Sequence, residues 1–326
     1  MRINPISLNS LKQISINFNS SRVLNTGSSN DIFIKTTSFS GTKDDKSFEE
    51  FKKWADETDF LSKAVEIVEK TGDILGSGYE GTTYSIPNNE RWVIKEYKRS
   101  SVIPDPIKKP EIHKIKDISP DLNIGQFVAS VKIPVNNRMS HHMYILKKQT
   151  GRSYGVPHAA NKIVNDSTAK MHIDSLKTMA EMPMTTYETL IDDIRYVTKQ
   201  GYKFDTDNPY NFMVDTKKQR INFVDIADKL EDKDTTQYGD VLFALLDSDF
   251  AQSFKESDRP KQEKDDARIY SYRICSKFLS AMIRKHATFS YSKNFTKVFV
   301  SEPFEKTLGT SHPDKKIEKL KELGLY

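Results

Sequence analysis

The chain has almost no cysteine. Cys275 is the only one in 326 residues, which excludes an internal disulfide framework. No group of cysteine and histidine residues has the spacing of a zinc site. The fold must therefore be held together by packing alone.

Long apolar runs and concentrated charge are missing as well. No stretch approaches the roughly 18 apolar residues that a membrane-spanning helix needs, so we expect no membrane span. The 50 Lys and Arg residues only slightly outnumber the 45 Asp and Glu residues, and no basic block stands out. Composition therefore gives no reason to expect a nucleic-acid partner.

Acidic residues are absent from the start of the chain. Residues 1–30 contain no Asp or Glu and are rich in Ser and Asn. This composition is typical of a disordered segment, which we predict over residues 1–45. A transit peptide and a non-cleaved bacterial export signal also fit. The β-branched residues and Asn of 14–19 disfavour the amphipathic helix of a transit peptide, which favours the export signal.

The remaining sequence changes its hydrophobic period along the chain. An amphipathic helical pattern over 46–70 precedes short extended runs up to residue 150, and helical patterns then dominate over 151–310. A charged helical tail, expected to be solvated, follows at 311–326. We therefore predict an α+β fold, with an N-terminal antiparallel β part and a C-terminal mainly helical part.

A glycine-rich motif lies within the extended part. Gly76, Ser77, Gly78, Tyr79, Glu80 and Gly81 match G-x-G-x-x-G. The β-rich run Thr82–Ile86 follows, where a dinucleotide-binding fold requires a helix, and Thr82 stands where a Walker loop requires lysine. A hairpin whose backbone N–H groups cover phosphates is the remaining interpretation.

A lysine ends the next apolar strand. Lys95 follows Val93 and Ile94, 14 residues after Gly81. A strand lysine at this position buries its stem and directs its ammonium group inward, which suits phosphate binding. Either feature alone is most simply an ordinary hairpin or an edge lysine, but the two together favour a nucleotide site.

Acidic and amide residues cluster later in the chain. Asp205, Asp207 and Asn211 precede the strand Phe212–Asp215, and the strand Ile221–Val224 ends at Asp225. Carboxylate and amide oxygens are the ligands that Mg²⁺ prefers. An Asp- and Asn-rich turn is the plainer alternative, but it leaves a charged residue at the end of a buried strand unexplained.

These motifs, in this order, resemble those of the protein kinase superfamily over roughly residues 71–250. The resemblance implies a bilobal kinase-like fold that binds ATP and Mg²⁺. It implies that Gly76 to Gly81 cover the phosphates, Lys95 binds them and Glu111 orients Lys95. Asn211 and Asp225 would hold Mg²⁺, and the segment Tyr144–Gly151 would be the hinge that contacts adenine.

The chain departs from the kinase pattern in three places. No His-Arg-Asp motif is present, and Thr206 stands five residues before Asn211, so the catalytic base is either Asp205 or Asp207. We prefer Asp205 because the preceding segment, 201–204, resembles the usual lead into that base. Ile226-Ala227 replaces the Phe-Gly that usually follows the metal-binding Asp. The segment up to Tyr238 is short for an activation loop.

A reduced activation segment behind a Ser- and Asn-rich start resembles the minimal kinases that bacteria deliver into host cells by type III secretion. This resemblance implies an atypical Ser/Thr protein kinase, secreted into the host cytoplasm, with a host protein as substrate or activator. A small-molecule kinase and a pseudokinase-like interaction module remain open. The missing His-Arg-Asp favours the pseudokinase, whereas Lys95, Asn211 and Asp225 together favour an enzyme.

Overall fold

The computed structural model describes residues 38–40, 46–77, 81–97, 127–134, 140–157, 160, 162–199, 201–224, 226–229, 237–290, 292 and 294–326. These residues divide into two compact units. The described residues up to Lys148 form the first unit, and those from Gln149 onward form the second.

The first unit is built on a six-stranded antiparallel sheet. Its strands are β1 (Ser38–Ser40), β2 (Ile74–Ser77), β3 (Gly81–Ile86), β4 (Asn89–Tyr97), β5 (Phe127–Pro134) and β6 (Ser140–Lys147). Their order across the sheet is β1-β5-β6-β4-β3-β2. A two-residue turn joins β3 to β4, with Asn88 at a φ of 59°, a left-handed conformation that asparagine tolerates. β4 thus lies between β3 and β6.

Helices that lie between β1 and β2 in sequence pack against the sheet. They are α1 (Lys46–Glu57), α2 (Phe60–Glu66) and a short π-helix (Ile67–Thr71). Phe51 contacts Phe60 and Trp92 edge-on, with ring centroids 5.5 and 5.2 Å apart. The same buried core contains Ile94 and Ile145 of the two central strands. The amphipathic extension is therefore part of the core of the first unit.

The second unit is mainly helical. Its helices are α3 (Asp166–Glu181), α4 (Met184–Lys199), α5 (Tyr238–Leu245), α6 (Ser248–Glu256), α7 (Lys261–Arg284), α8 (Phe295–Phe299), α9 (Glu302–Leu308) and α10 (Pro313–Glu322). A capping box begins α3, where Asn165 and Thr168 exchange side-chain and backbone hydrogen bonds of 3.0 Å. All eight residues of α5 are buried, which makes it the central helix.

Short strands lie between α4 and α5 and just before α3. They are β7 (Arg152–Ser153), β8 (Tyr202–Phe204), β9 (Phe212–Asp215), β10 (Arg220–Phe223) and β11 (Ile226–Lys229). β9 pairs with both β7 and β10, and β8 pairs with β11, always antiparallel. The predicted strand pair around 212–225 is therefore present as β9 and β10. A second pair, β8 and β11, flanks it on both sides in sequence.

The terminal helix α10 is not fully solvated, contrary to the expectation for the charged tail. Leu320 and Leu325 are completely buried. The Lys316 side chain is only 1% exposed, and its ammonium group donates to the Phe299 carbonyl and the Glu305 carboxylate, each at 2.8 Å. Composition did not reveal this packing, because most residues of α10 are charged and only a few positions, Lys316 among them, face inward.

The architecture confirms the predicted α+β class. An antiparallel sheet unit precedes a mainly helical unit, which is consistent with the bilobal kinase-like fold expected from the motifs. None of the helices in the described part of the chain is both long and apolar enough to span a membrane.

Candidate active site

The glycine-rich motif forms the expected hairpin between two strands. In β2 and β3, Gly76 lies opposite Thr83 and Ser77 lies opposite Thr82. The hydroxyl groups of Ser77 and Thr82 are hydrogen-bonded at 3.0 Å. Gly81 is buried at the start of β3. Gly78 and Tyr79, also predicted to cover phosphates, lie outside the described residues.

Lys95 lies near the middle of the sheet. It is opposite Thr83 of β3 and Tyr144 of β6. Its neighbour Ile94 is fully buried in the core formed with the N-terminal helices. Successive residues of a strand point to opposite faces, so Lys95 lies on the face away from those helices. Its side chain is half-buried, as a lysine with an apolar stem and a polar head requires.

A buried histidine fixes the strand beside Lys95. The Glu96 carboxylate lies 2.5 Å from Nδ1 of His141, whose side chain is 2% exposed. Nε2 of the same ring is 3.7 Å from the carboxylate of Glu69, in the π-helix. These contacts join β4 and β6 to the N-terminal helices. Within the described residues, no group of three or more His, Cys, Asp or Glu side chains is arranged to hold a metal ion.

The acidic loop begins where β8 ends. Asp205 follows Phe204, and its carboxylate accepts a hydrogen bond of 2.8 Å from the Asn211 side-chain amide. The backbone N–H of Asp207 donates to the other oxygen of the same carboxylate at 3.2 Å. Asp205 is half-buried, whereas Asp207 is exposed. The structure therefore brings Asp205 and Asn211 together, and it holds the Asp205 carboxylate by both oxygens.

A short 3₁₀ helix, Pro209–Asn211, closes this loop. The Asn208 side chain accepts the N–H of Tyr210 at 3.1 Å and so caps the first turn. Gly155 makes room beside this helix, since its φ is +71° and an added Cβ would lie 2.7 Å from the Cβ of Pro209. The 3₁₀ helix delivers Asn211 next to Asp205.

Asp225 and Glu111, predicted to bind the metal and to orient Lys95, lie outside the described residues. The residues that flank position 225 in sequence are described. The N–H of Val224 donates to the Asn211 carbonyl at 3.0 Å. Ile226 pairs with Phe204, the residue before Asp205. The chain is thus attached beside Asn211 just before position 225, and beside Asp205 just after it.

The predicted hinge segment is anchored to the β9–β10 hairpin at its C-terminal end. Thr150 donates from its hydroxyl to Asp215 at 2.5 Å, and the Asn222 amide donates to the Thr150 carbonyl at 2.5 Å. Burial would raise the pKa of Asp215, but the Thr150 hydroxyl and the N–H groups of Lys218 and Lys217 lower it below its usual value. Asp215 therefore stays ionised and ties the segment to the hairpin.

Sequence reasoning missed two buried polar residues near the start of α5, and one of them, Gln237, supports the acidic loop. Gln237 is buried, and its side-chain amide contacts both backbone groups of Phe204. Asp240, also buried, accepts the N–H of Asn294 at 3.0 Å. Burial, more than its charged neighbours, raises the pKa of Asp240. Gln237 is the residue before α5 and Asp240 lies in its first turn. In the sequence, the only signal for them is that they are polar residues at the start of a mainly apolar helix.

Comparison with known proteins gives a weak likeness to solved structures. No protein-family model matches the chain, and no curated protein matches it. Among solved structures, the chain is similar to the pseudokinase domain of BIR2, an immune regulator of the RLK/Pelle family. The two are 11% identical over 81% of this chain and 84% of that one, with a TM-score of 0.36.

Proposed function

We propose that this chain is an ATP-dependent phosphotransferase of the protein-kinase type, with Asp205 as its catalytic base. One observation carries the proposal. The Asp205 carboxylate and the Asn211 amide are joined at 2.8 Å, at the point where the chain on both sides of Asp225 is attached. A base and an amide held together, with a metal-binding carboxylate expected at Asp225, are the parts that phosphoryl transfer requires.

The contacts favour Asp205 over Asp207 as the base. A general base works best when its carboxylate is held in one orientation. Both oxygens of Asp205 accept hydrogen bonds within the loop, from Asn211 and from the backbone of Asp207. Asp207 is exposed, and its backbone serves to orient Asp205. In the reaction, Asp205 would accept the proton of the acceptor hydroxyl as that oxygen bonds to the γ-phosphorus and the bond to ADP breaks.

The first unit carries the groups that would bind ATP. Gly76, Ser77 and Gly81 belong to a hairpin next to β4. Lys95 lies on the sheet face away from the N-terminal helices, one strand from that hairpin. Backbone N–H groups of such a hairpin and the ammonium group of a strand lysine are suited to the phosphates of ATP. We assign Gly78, Tyr79 and Glu111 to the same site on the sequence motif alone.

The residues present fit a magnesium ion. Mg²⁺ is bound in proteins by one or two carboxylate or amide oxygens together with substrate phosphates. Asn211 uses its amide nitrogen toward Asp205, which leaves its side-chain oxygen for a metal. Asp225 would supply the carboxylate. When bound, Mg²⁺ would neutralise the charge that develops on the transferred phosphoryl group.

The substrate class and location belong to this proposal too. We infer an atypical Ser/Thr protein kinase that a bacterium secretes into the host cytoplasm, where a host protein is its substrate or activator. The acid-free, Ser- and Asn-rich composition of residues 1–30 supports this inference. A fusion of residues 1–45 to a translocation reporter tests it, and a reporter that stays inside a secretion-competent bacterium would count against it.

Transfer of labelled γ-phosphate tests the enzymatic proposal. Purified protein is incubated with Mg-ATP, alone and with a eukaryotic cell lysate. Asp205→Asn should lower the rate by about 10² to 10⁴-fold, since the base is lost while the shape is kept. Asp207→Asn is the matched control and should retain most activity. Full activity of Asp205→Asn would refute the assignment of the base.

Variants of the predicted ATP- and metal-binding residues test the rest of the site. Lys95→Ala and Asp225→Ala should each abolish transfer. Lys53→Ala removes an exposed lysine of α1 and should have no effect. Tight Mg-ATP binding without any transfer would support the pseudokinase-like interaction module instead. Labelling of a small metabolite without labelled protein would support a small-molecule kinase.

A further inference from the structure

Gln237 holds the backbone of the residue that precedes Asp205. Its side-chain oxygen accepts the N–H of Phe204 at 2.6 Å, and its side-chain nitrogen donates to the Phe204 carbonyl at 3.3 Å. One amide thus satisfies both backbone groups of Phe204, as a neighbouring strand would. Gln237 is 3% exposed, so water cannot readily replace these bonds.

The position of Gln237 in the fold shows that its side chain serves the loop. Gln237 is the residue before α5, where a side chain commonly caps the first turn of a helix. It makes no such cap, and its amide turns to β8 instead. Because α5 is buried along its whole length, Gln237 projects from the most constrained helix of the second unit.

Phe204 is immobilised from its side chain as well. Its ring stacks on Phe223 of β10 with centroids 3.8 Å apart, and it is 1% exposed. Ring packing fixes where the residue lies, but it leaves the rotation of the peptide that leads to Asp205 less restricted. One of the two bonds from Gln237 acts on that peptide directly, because it holds the Phe204 carbonyl.

We infer that Gln237 is a positioning residue, which sets the orientation of the Asp205 carboxylate through the Phe204 backbone. This inference rests on the proposed role of Asp205 as the base. A series of contacts would thus connect α5 to the base. Gln237 holds the Phe204 carbonyl, Phe204 leads to Asp205, and Asp205 is hydrogen-bonded to Asn211 and to the backbone of Asp207.

The kinetic test uses two variants of the full chain. Gln237→Leu keeps the volume but makes neither bond, and it should lower kcat by about 10- to 100-fold through misplacement of the base. The KM for ATP should stay within about two-fold, since Gln237 would act on the chemical step alone. Gln219→Glu, in the exposed turn between β9 and β10, is the control and should leave both constants unchanged.

Gln237→Glu gives a readout that a purely structural role would not produce. A protonated glutamic acid can accept from the Phe204 N–H and donate to the Phe204 carbonyl, whereas an ionised one can only accept. The kcat of this variant relative to wild type should therefore rise by at least about 5-fold from pH 8 to pH 5.5, as expected for regaining one buried hydrogen bond. A pH-independent ratio would overturn the inference.

Amide hydrogen exchange tests the same contact without relying on catalysis. The N–H groups of Phe204 and Asp207 should exchange faster in Gln237→Leu, while those of α7 keep their protection. Unchanged exchange at these two positions, or equal loss throughout the second unit, would refute the positioning role. A wild-type protein that transfers no phosphate would refute the proposed function, and the exchange rates would still decide whether Gln237 holds Asp205.

Discussion

Gly151 offers a sharp test of how the predicted hinge segment is attached. Its φ is +114°, which lies in the left-handed half of the map and beyond the region that L residues tolerate. A Cβ at this position would lie 2.7 Å from the carbonyl carbon and oxygen of Val214 and 2.8 Å from the nitrogen of Asp215. These are backbone atoms of β9, so no side-chain rotation can relieve the overlap.

The cost of Gly151→Ala follows from two contributions. A left-handed conformation costs an L residue about 1–2 kcal/mol. Relief of the overlap requires the segment to move away from β9, which weakens the bond from Asn222 to the Thr150 carbonyl by about 0.5–1.5 kcal/mol. We therefore expect a loss of about 1.5–3.5 kcal/mol in the free energy of unfolding of the second unit.

Thermal unfolding followed by circular dichroism measures this loss. A unit of this size loses about 2–4 °C in Tm for each kcal/mol, so Gly151→Ala should lower Tm by about 3–14 °C. Gly309→Ala is the matched control, because its φ is +72° and an added Cβ would meet nothing within 4 Å. It should lower the free energy of unfolding only by the conformational cost, about 1–2 kcal/mol. Equal losses in the two variants would refute the argument from close backbone contact.

Three further substitutions test other parts of the fold. Burial raises the pKa of Asp193 to about 7, whereas its pKa in the unfolded chain is near 4, so the stability of the folded protein falls as the pH rises from 4 toward 7. Relative to wild type, Asp193→Asn should therefore gain about 2–3 kcal/mol in the free energy of unfolding between pH 5 and 7, measured by urea unfolding. A constant difference would contradict this. Phe51→Ala leaves a cavity at a fully buried position and should destabilise the first unit by about 3–5 kcal/mol in the same assay. A loss below about 1 kcal/mol would show that the N-terminal helices are dispensable for its stability. Lys316→Met keeps the apolar stem but loses two charged hydrogen bonds, so we expect a loss of about 2 kcal/mol in the free energy of unfolding. An unchanged Tm would argue against a structural role for α10.

Local patterns were enough to predict the strands and hairpins near the candidate site. Gly76 to Gly81 and the run up to Lys95 are consecutive in sequence, and strand alternation alone decides that Ile94 and Lys95 point to opposite faces. The preference for Asp205 over Asp207 also came from local sequence. The contacts of Asp205 with Asn211 and with the Asp207 backbone are local too, since both partners lie within six residues of Asp205.

Contacts between distant parts of the chain were not predictable in this way. Gln237 lies 33 residues from Phe204, and Asp240 lies 54 residues from Asn294. Neither pair belongs to a motif, because a buried amide or carboxylate can find its partner on any neighbouring element. The burial of Lys316 was hidden for a related reason, since a lysine is normally exposed unless a specific carbonyl and carboxylate receive its charge.

Because α1 and α2 cover the sheet but precede most of its strands in sequence, their apolar side chains lack partners while the protein is being synthesised. Phe51 and Phe60 leave the ribosome before Trp92 and Ile145, the sheet residues with which they share a core. At about 5–20 residues per second, the aromatic face of the helices waits about 4 to 17 s for the last of these strands. During that interval the nascent chain exposes part of an apolar surface, which a chaperone or the helices' own association would shield.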